Sequence, residues 1–199
     1  MGTVFSDLAI SADGYAAGLN QREEAPLGDI IENWLHGWMF DTYEENKAEV
    51  DAIVDSGATI MGRNMFGPVR GEWDRDWRGW WGPNPPYHGP VFVLTHFPHE
   101  SIPMEGGTTF HFVTDGIHSA LEQARAAAGD RNISIAGGAE TVNQYLAAGL
   151  LDELRLHVTP CVLGAGERVF DGVPAQALER VSVRAASLVT HITYRPVRS

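Results

Sequence analysis

The order of apolar and polar positions predicts strands that alternate with helices along most of the chain. Continuous apolar runs or two-residue alternation predict strands at "TVFSDLAIS", "ATIMG", "GPVFVLTH", "TTFHFVTD" and "ISIA". Apolar positions at helical spacing predict helices at "YEENKAEVDAIVDSG", "IHSALEQARAAAG" and "AETVNQYLAAG", a short helix within "DIIENWLHGWMF" and a helix start at "RNMFGPV".

The last part of the chain follows a different pattern. "LDELRLHVTPCVL" and "LERVSVRAASLVTHITYRPV" both alternate like strands, and no helical pattern separates them. A strand-helix alternation that ends in strands predicts one α/β domain over residues 1–199. We expect a central, mostly parallel sheet flanked by helices, with an antiparallel C-terminal edge.

Two adjacent glycines stand at the end of one predicted strand. In "NISIAGGAETVNQYL", Gly137 and Gly138 separate the apolar run from the amphipathic helix. A helix that begins directly after a strand presents free backbone amides, which bind anions such as phosphate. A tight turn that needs positive φ angles explains a single Gly-Gly pair equally simply.

Two further strand ends carry polar groups that favour the anion interpretation. "ATIMGRNMF" places Gly62 and Arg63 between a strand and a helix, and "VFVLTH" ends in Thr95 and His96. Ligands of open α/β sheets bind beyond the carboxyl ends of the strands. Together these groups suit a ligand with several phosphates, such as a dinucleotide. The chain lacks the G-x-G-x-x-G fingerprint of ordinary Rossmann domains and the P-loop of nucleotide triphosphatases.

Composition excludes several classes of function. Fourteen Lys and Arg against 26 Asp and Glu give a net charge of -12, which disfavours a nucleic-acid partner. Cys161 is the sole cysteine, so an intrachain disulfide is excluded and a reducing compartment is favoured. The start "MGTVFSDLAI" lacks the features of a signal peptide, and no apolar run reaches membrane-span length. We therefore expect a cytoplasmic protein without a membrane partner.

A metal site is not expected from the sequence. His96, His99 and His111 lie near one another along the chain but lack the spacing of metal ligands.

The motifs occur in an order that resembles the dihydrofolate reductase-like superfamily. They are "ISADGYAAG", "IMGRNMF", "VFVLTH", "IAGGAETVNQYL" and "LDELRLHVTPCVLGAGERVF". The chain is most similar to the group that contains the reductase domain of riboflavin biosynthesis and many stand-alone bacterial reductases. The resemblance implies a central eight-stranded sheet and an NADPH-dependent oxidoreductase that transfers hydride to a small heterocyclic, pterin- or pyrimidine-like substrate. The alternative is a non-catalytic nucleotide-binding or regulatory module that retains the NADPH cradle.

The resemblance also implies roles for individual residues. It places Ala9 and Ala16 near the nicotinamide and Thr95 and His96 near the adenosine 2′-phosphate. An imidazole is a weaker and more pH-dependent phosphate partner than a guanidinium. The remaining cofactor contacts are expected at the cofactor phosphates, with the last five residues around the pyrophosphate: Gly62, Arg63, Asn64, Gly137, Gly138, Ala139, Glu140 and Thr141.

One family feature is displaced or absent. Dihydrofolate reductases hold the pterin ring with a carboxylate on the helix before the "MGR" strand, and that position falls at about Asn46, with Glu45 and Glu49 nearby. Asp7 stands two residues before Ala9, so strand alternation places both side chains on one face. We expect Asp7 to bind substrate nitrogens and to relay a proton in catalysis. The alternative is an edge-strand charge that faces water.

The stretch "WDRDWRGWWGPNPPYHGP", residues 73–90, contains four tryptophans in a Pro/Gly-rich loop. These rings either cover a site for a flat substrate or pack against the body of the protein or a subunit partner. We expect Trp81 in this loop and Phe66 in "RNMF" to contact the substrate, and a homodimer is a further expectation.

Overall fold

The structure is a computed structural model, and it describes residues 2–31 and 33–197. Its helices are α1 (Gly37–Phe40), α2 (Tyr43–Val54), α3 (Arg63–Phe66), α4 (Gly116–Ala128) and α5 (Ala139–Ala147). Its strands are β1 (Val4–Ser11), β2 (Tyr15–Ala17), β3 (Ala58–Gly62), β4 (Pro90–Leu94), β5 (Ile102–Pro103), β6 (Thr109–Val113), β7 (Ile133–Gly137), β8 (Glu153–Thr159), β9 (Glu167–Arg168), β10 (Leu178–Ala185) and β11 (Thr190–Pro196).

One large sheet organises the molecule. Within residues 2–31 and 33–197 it contains nine strands in the order β10-β11-β8-β1-β7-β3-β4-β6-β5. Strands β8, β1, β7, β3, β4 and β6 run parallel to one another. Strands β11 and β10 add the antiparallel C-terminal edge, and β5 pairs antiparallel with β6 at the opposite edge. Strands β2 and β9 pair separately.

The predicted α/β fold with its mostly parallel sheet and antiparallel C-terminal edge is confirmed. The implied eight-stranded sheet gains a ninth strand because the two residues of β5 pair with Phe110 and Thr109. The short helix expected within residues 29–40 is confined to α1, and Glu32 in that stretch lies outside the described residues. Helix α2 ends at Val54, before the Gly57 at which the sequence pattern ended.

Helix α5 packs on the sheet through the apolar face that its sequence predicts, whereas the buried residue of α2 is the polar Asn46. Val142, Tyr145 and Leu146 of α5 are buried against the central strands. The Tyr145 hydroxyl donates a hydrogen bond to the Ile117 carbonyl at the start of α4 (2.9 Å), which links the two helices. The central strands run in the same direction, and their carboxyl ends therefore meet at one edge of the sheet.

The described helices were also compared with the length and hydropathy that a membrane span requires. None in residues 2–31 and 33–197 is long and apolar enough to cross a membrane.

Candidate functional site

A cleft of about 690 Å³ runs along the carboxyl edge of the sheet. Its volume lies within the range of about 300–1,000 Å³ that is typical of small-molecule sites. The cleft follows the strand order from β8 and β1 through β7 to β3 and β4. The sequence-predicted site residues that line it are Asp7, Ala9, Ala16, Gly62, Arg63, Asn64, Trp81, Thr95, His96, Gly138, Ala139, Glu140 and Thr141.

The three glycines predicted near phosphates are required for different reasons. A Cβ on Gly62 would overlap the Thr141 hydroxyl, so close packing excludes a side chain there. Gly137 has φ +119°, a conformation that favours glycine, and the Gly137–Gly138 peptide is cis. Gly138 has φ -66°, which any residue adopts, and a Cβ built there would meet no described heavy atom within 4 Å. Its missing side chain therefore leaves space in the cleft at the start of α5.

A fixed guanidinium lies at the β3–β4 end of the cleft. Arg63 donates hydrogen bonds to the Thr95 hydroxyl (2.8 Å) and the Gly71 carbonyl (2.9 Å). Its Cζ lies 3.4 Å from the centroid of the Trp73 ring, so the planar group is also stacked. The exposed His96 follows Thr95 in the same wall. This end of the cleft therefore holds a preorganised positive charge beside a hydroxyl and an imidazole.

Asp7 lies at the other end of the cleft, in the middle of β1. Its side chain is 3% exposed, and β1 lies between β7 and β8, so the alternative of an edge-strand charge facing water is wrong. Arg155 donates to Asp7 Oδ2 (3.3 Å), and His157 Nε2 lies 3.1 Å from Asp7 Oδ1. A buried carboxylate is stable only when it is paired and hydrogen-bonded in this way.

A second imidazole continues the network away from the cleft. His157 Nδ1 lies 2.7 Å from His191 Nδ1, and His191 Nε2 lies 2.9 Å from Asn46 Oδ1. The Trp38 ring covers both imidazoles, with ring centroids 4.7 Å from His157 and 5.1 Å from His191. His157 and Trp38 line the cleft together with Asp7.

Sequence reasoning missed this histidine pair. His157 and His191 each stand inside an alternating apolar strand, "ELRLHVT" and "THITYRP", which is the available sequence signal. Their contact depends on the antiparallel register of β8 and β11, in which the two residues are direct partners.

Asn46 stands at the helix position where dihydrofolate reductases are expected to carry their pterin-binding carboxylate, and here it belongs to the buried network. Asn46 is 0% exposed, and its Nδ2 donates to the carbonyls of Trp38 and Thr42. Glu49 forms an ion pair with Arg184 (2.6 Å). Burial raises the pKa of Glu49, but the hydrogen bond from Arg184 and the other contacts together lower it by more, so the net shift of the pKa is downward. Neither residue belongs to the described lining of the cleft. Of Asp7, Asn46 and Glu49, Asp7 is thus the one that lines the cleft.

A third histidine stands nearby. His36 lines the cleft, and burial, followed by the proximity of His157, lowers the pKa of His36 to about 4. His36 is therefore neutral near pH 7 and adds no positive charge beside His157.

The tryptophan-rich stretch divides between two roles. Trp80, Trp81 and Tyr87 line the cleft. Trp73, Trp77, Trp81 and Tyr87 pack against the cluster that contains Phe66, and Trp77 Nε1 donates to the Phe66 carbonyl (2.9 Å). Packing against the body of the protein therefore applies to these four rings, and a role in covering a substrate stays a prediction for the rings that line the cleft.

The structure corrects the expectation for Phe66. This side chain is fully buried and packs edge-on against Trp73, Phe110 and Phe112. It lies outside the described lining of the cleft, because its ring packs into the core cluster with Val91, Val93 and Phe110. Gly137 is likewise buried outside the lining, and the half-buried Gly138 lines the cleft.

Metal coordination was considered for the described part of the chain. Residues 2–31 and 33–197 contain no group of three or more His, Cys, Asp or Glu side chains arranged to hold a metal ion.

Comparison with protein families gives one match over nearly the whole chain. Residues 2–192 match the RibD C-terminal domain. Among curated proteins, none matches the chain at a significant level.

Three solved structures are similar in fold to nearly the whole of this chain. A protein described as a riboflavin biosynthesis protein, from Shewanella sp. PV-4, has a TM-score of 0.65 and 23% identity, covering 98% of this chain and 99% of that one. Dihydrofolate reductase from Enterococcus faecalis, solved with NADP(H), has a TM-score of 0.60 and 14% identity, covering 98% and 96%. The diaminohydroxyphosphoribosylaminopyrimidine deaminase/5-amino-6-(5-phosphoribosylamino)uracil reductase of Thermotoga maritima has a TM-score of 0.59 and 13% identity, covering 98% of this chain and 57% of that one.

Proposed function

The chain belongs to the family of RibD C-terminal domains, and from this premise we propose that it is an NADPH-dependent reductase acting on a small, flat heterocycle of pyrimidine or pterin type. The observation that carries the proposal is the make-up of one cleft. Its β7–β3–β4 side offers the start of α5 and a fixed guanidinium, and its β1–β8 side offers a buried carboxylate beside aromatic rings.

The residues of the first side fit a dinucleotide. The open space at Gly138 brings the backbone amides at the start of α5 within reach of a pyrophosphate. Arg63 already has its planar group held by Thr95 and Trp73, so a phosphate would be bound with little further loss of side-chain entropy. Thr95 and His96 would adjoin the 2′-phosphate, and Ala9 and Ala16 would leave room for the nicotinamide. The reduced nicotinamide supplies the hydride when it is bound.

The residues of the second side fit a heterocycle. Asp7 would accept hydrogen bonds from ring N–H groups, which fixes the orientation of a pyrimidine or pterin. Trp81 would offer its face to the flat ring, and Trp80 and Tyr87 would exclude water around it. Glu45 and Glu49 have other partners, because Glu45 accepts from the Ser187 amide and Glu49 from Arg184.

Titration calorimetry with NADPH and NADH, followed by the absorbance of NADPH with candidate substrates, tests this proposal. We expect micromolar binding of NADPH, about -8 kcal/mol, and oxidation of NADPH by one member of a set of aminopyrimidines, pterins and flavins. Asp7→Asn should keep the NADPH affinity and lower turnover. NADPH binding without oxidation by any member of the set would favour the non-catalytic module, and no NADPH binding would refute both.

A further inference from the structure

The hydrogen-bond network behind the cleft has a fixed polarity at its inner end. Arg184 is ion-paired with Glu49 and donates to Asn46 Oδ1 (2.8 Å). Asn46 Nδ2 faces the carbonyls of Trp38 (3.2 Å) and Thr42 (3.0 Å). Since a guanidinium can only donate and a carbonyl can only accept, the amide of Asn46 has one orientation that satisfies every partner.

This orientation determines one tautomer. Asn46 Oδ1 accepts, so His191 Nε2, at 2.9 Å, must carry a hydrogen and donate. His191 and Asn46 are 6% and 0% exposed, so an unsatisfied contact between two acceptors would be costly here.

The outer end of the network has a fixed polarity as well. Asp7 is paired with Arg155 through Oδ2, which favours the ionised carboxylate. Asp7 Oδ1 then accepts from His157 Nε2, at 3.1 Å, so this nitrogen also carries a hydrogen.

The two Nδ1 atoms between these ends lie 2.7 Å apart. If both imidazoles were neutral, two lone pairs would face each other at that distance in a buried site. A hydrogen between them is therefore required, and the pair then has three ring hydrogens and one positive charge. We propose that His157 and His191 together hold one extra proton, and that this proton is the one the cleft gives to its substrate; the second half of the proposal rests on the proposed reductase function.

The surroundings favour His157 as the charged member. Burial, and then the proximity of His157, lowers the pKa of His191 to about 4, which makes His191 the neutral acceptor. His157 lies between the Asp7 carboxylate, which stabilises a cation, and the tilted ring of Trp38, whose centroid is 4.7 Å away. The other charged groups around the pair are themselves engaged: Arg155 with Asp7 and Glu153, Arg184 with Glu49. His36 is kept neutral, as its lowered pKa indicates.

The proposed proton path uses atoms at the cleft wall. The hydrogen on His157 Nε2 passes to Asp7 Oδ1 and from Asp7 to a ring nitrogen of the substrate. The bound nicotinamide would supply the hydride for the carbon of the same double bond, so that one hydride and one proton together complete its reduction. His157 is left neutral with a hydrogen on Nδ1, and Asp7 is again a carboxylate. Water then restores the proton after product release. Asp7 and His157 are the catalytic residues in this scheme, and His191 is a positioning residue that keeps a hydrogen on His157 Nδ1.

Nitrogen-15 NMR of histidine-labelled protein tests the protonation state without cofactor or turnover. At about pH 8, where an exposed imidazole is largely neutral, His157 should show two protonated ring nitrogens and His191 the Nε2–H tautomer. The exposed His118 of α4, which lies outside this network, is the internal control for the spectrum. Two neutral imidazoles at His157 and His191 together with an ionised Asp7 would overturn the proposal.

A pair of substitutions at His191 tests the role in turnover. His191→Leu removes the acceptor of the Nδ1 hydrogen, so kcat should fall at least about tenfold at pH 8, with a smaller fall at pH 6 and KM unchanged. His191→Gln keeps a donor and an acceptor and should restore most of kcat and its pH profile. His118→Gln is the matched control and should change neither.

The two experiments test separate parts of the proposal, the charge on the histidine pair and its role as the proton source. An imidazolium at His157 with equal kcat losses at pH 6 and 8 in His191→Leu would overturn the role as proton source, because a purely structural effect is independent of pH. If NADPH is oxidised by none of the candidate substrates, the reductase proposal fails and the proton-source role falls with it, while the NMR spectrum still decides the charge on the pair.

Discussion

Gly138→Val separates the ligand role of the Gly-Gly motif from its structural role. The substitution places a branched side chain at the start of α5, in a part of the cleft that the proposed pyrophosphate would fill. Gly138 is the informative position because neither a positive φ nor close packing requires a glycine there. By contrast, a side chain on Gly62 would overlap Thr141, and Gly137 has a positive φ.

The structure sets the expected effect on stability near zero. At φ -66° and ψ -170° a valine is allowed, and its Cβ would meet no described heavy atom within 4 Å. Reduced freedom of the unfolded chain should stabilise the variant by about 0.4–1 kcal/mol. Loss of a glycine at the N-cap offsets part of this gain, since apolar residues are poor N-caps. We expect the free energy of unfolding to stay within about 1 kcal/mol of the parent value.

The expected effect on NADPH binding is much larger. A hydrogen bond between a backbone amide and a charged oxygen contributes about 1.5–3 kcal/mol, and the valine methyl groups would keep the pyrophosphate from making at least one such contact. The affinity should therefore fall by at least about tenfold, or 1.4 kcal/mol.

Calorimetric titration with NADPH and thermal unfolding of the same samples provide the measurement. Ala127→Val is the matched control, because it introduces the same side chain at an exposed position of α4 that does not belong to the described lining of the cleft. The control should bind NADPH as the parent does. Unchanged affinity in a folded Gly138→Val protein would refute the phosphate interpretation of the motif.

Two further predictions concern pH and cofactor choice. Burial lowers the pKa of His36 and His191 to about 4, from an ordinary value near 6.5, so their neutral forms stabilise the fold fully above pH 6.5 and this stability is lost as the pH falls towards 4. The free energy of unfolding in urea should therefore decline over this pH range, with a shallower slope in His36→Gln. A free energy of unfolding that does not change with pH would contradict both pKa shifts. Thr95→Ala removes the hydroxyl that accepts a hydrogen bond from Arg63 and should reduce the preference for NADPH over NADH, measured as the ratio of their binding constants. A ratio equal to that of the parent protein would assign the discrimination to another group.

Local patterns predicted the parts of the protein that depend on neighbours in sequence. Continuous apolar runs predicted the central strands at "ATIMG" and "ISIA", helical spacing predicted the helix after "ISIAGG", and two-residue alternation predicted the C-terminal strands, because the order of apolar residues shows which faces of an element are buried. The Gly-Gly and "MGR" motifs were placed at the carboxyl edge of the sheet because each follows a predicted strand and parallel strands end on the same side. Phe66 was misjudged because a helical turn decides whether an aromatic ring faces a cleft or the core, and "RNMF" is too short for its periodicity to show this.

The sequence by itself determined a single α/β fold, a family and a set of backbone positions at one edge of a sheet. Tertiary structure alone brought Asp7, His157, His191 and Asn46 into one hydrogen-bonded line, although they belong to four elements far apart along the chain. Their meeting depends on the register of β1 with β8 and of β8 with β11, and on the position of α2 against that sheet. A shift of one residue in either strand would turn an imidazole to the opposite face, and no local pattern specifies that register.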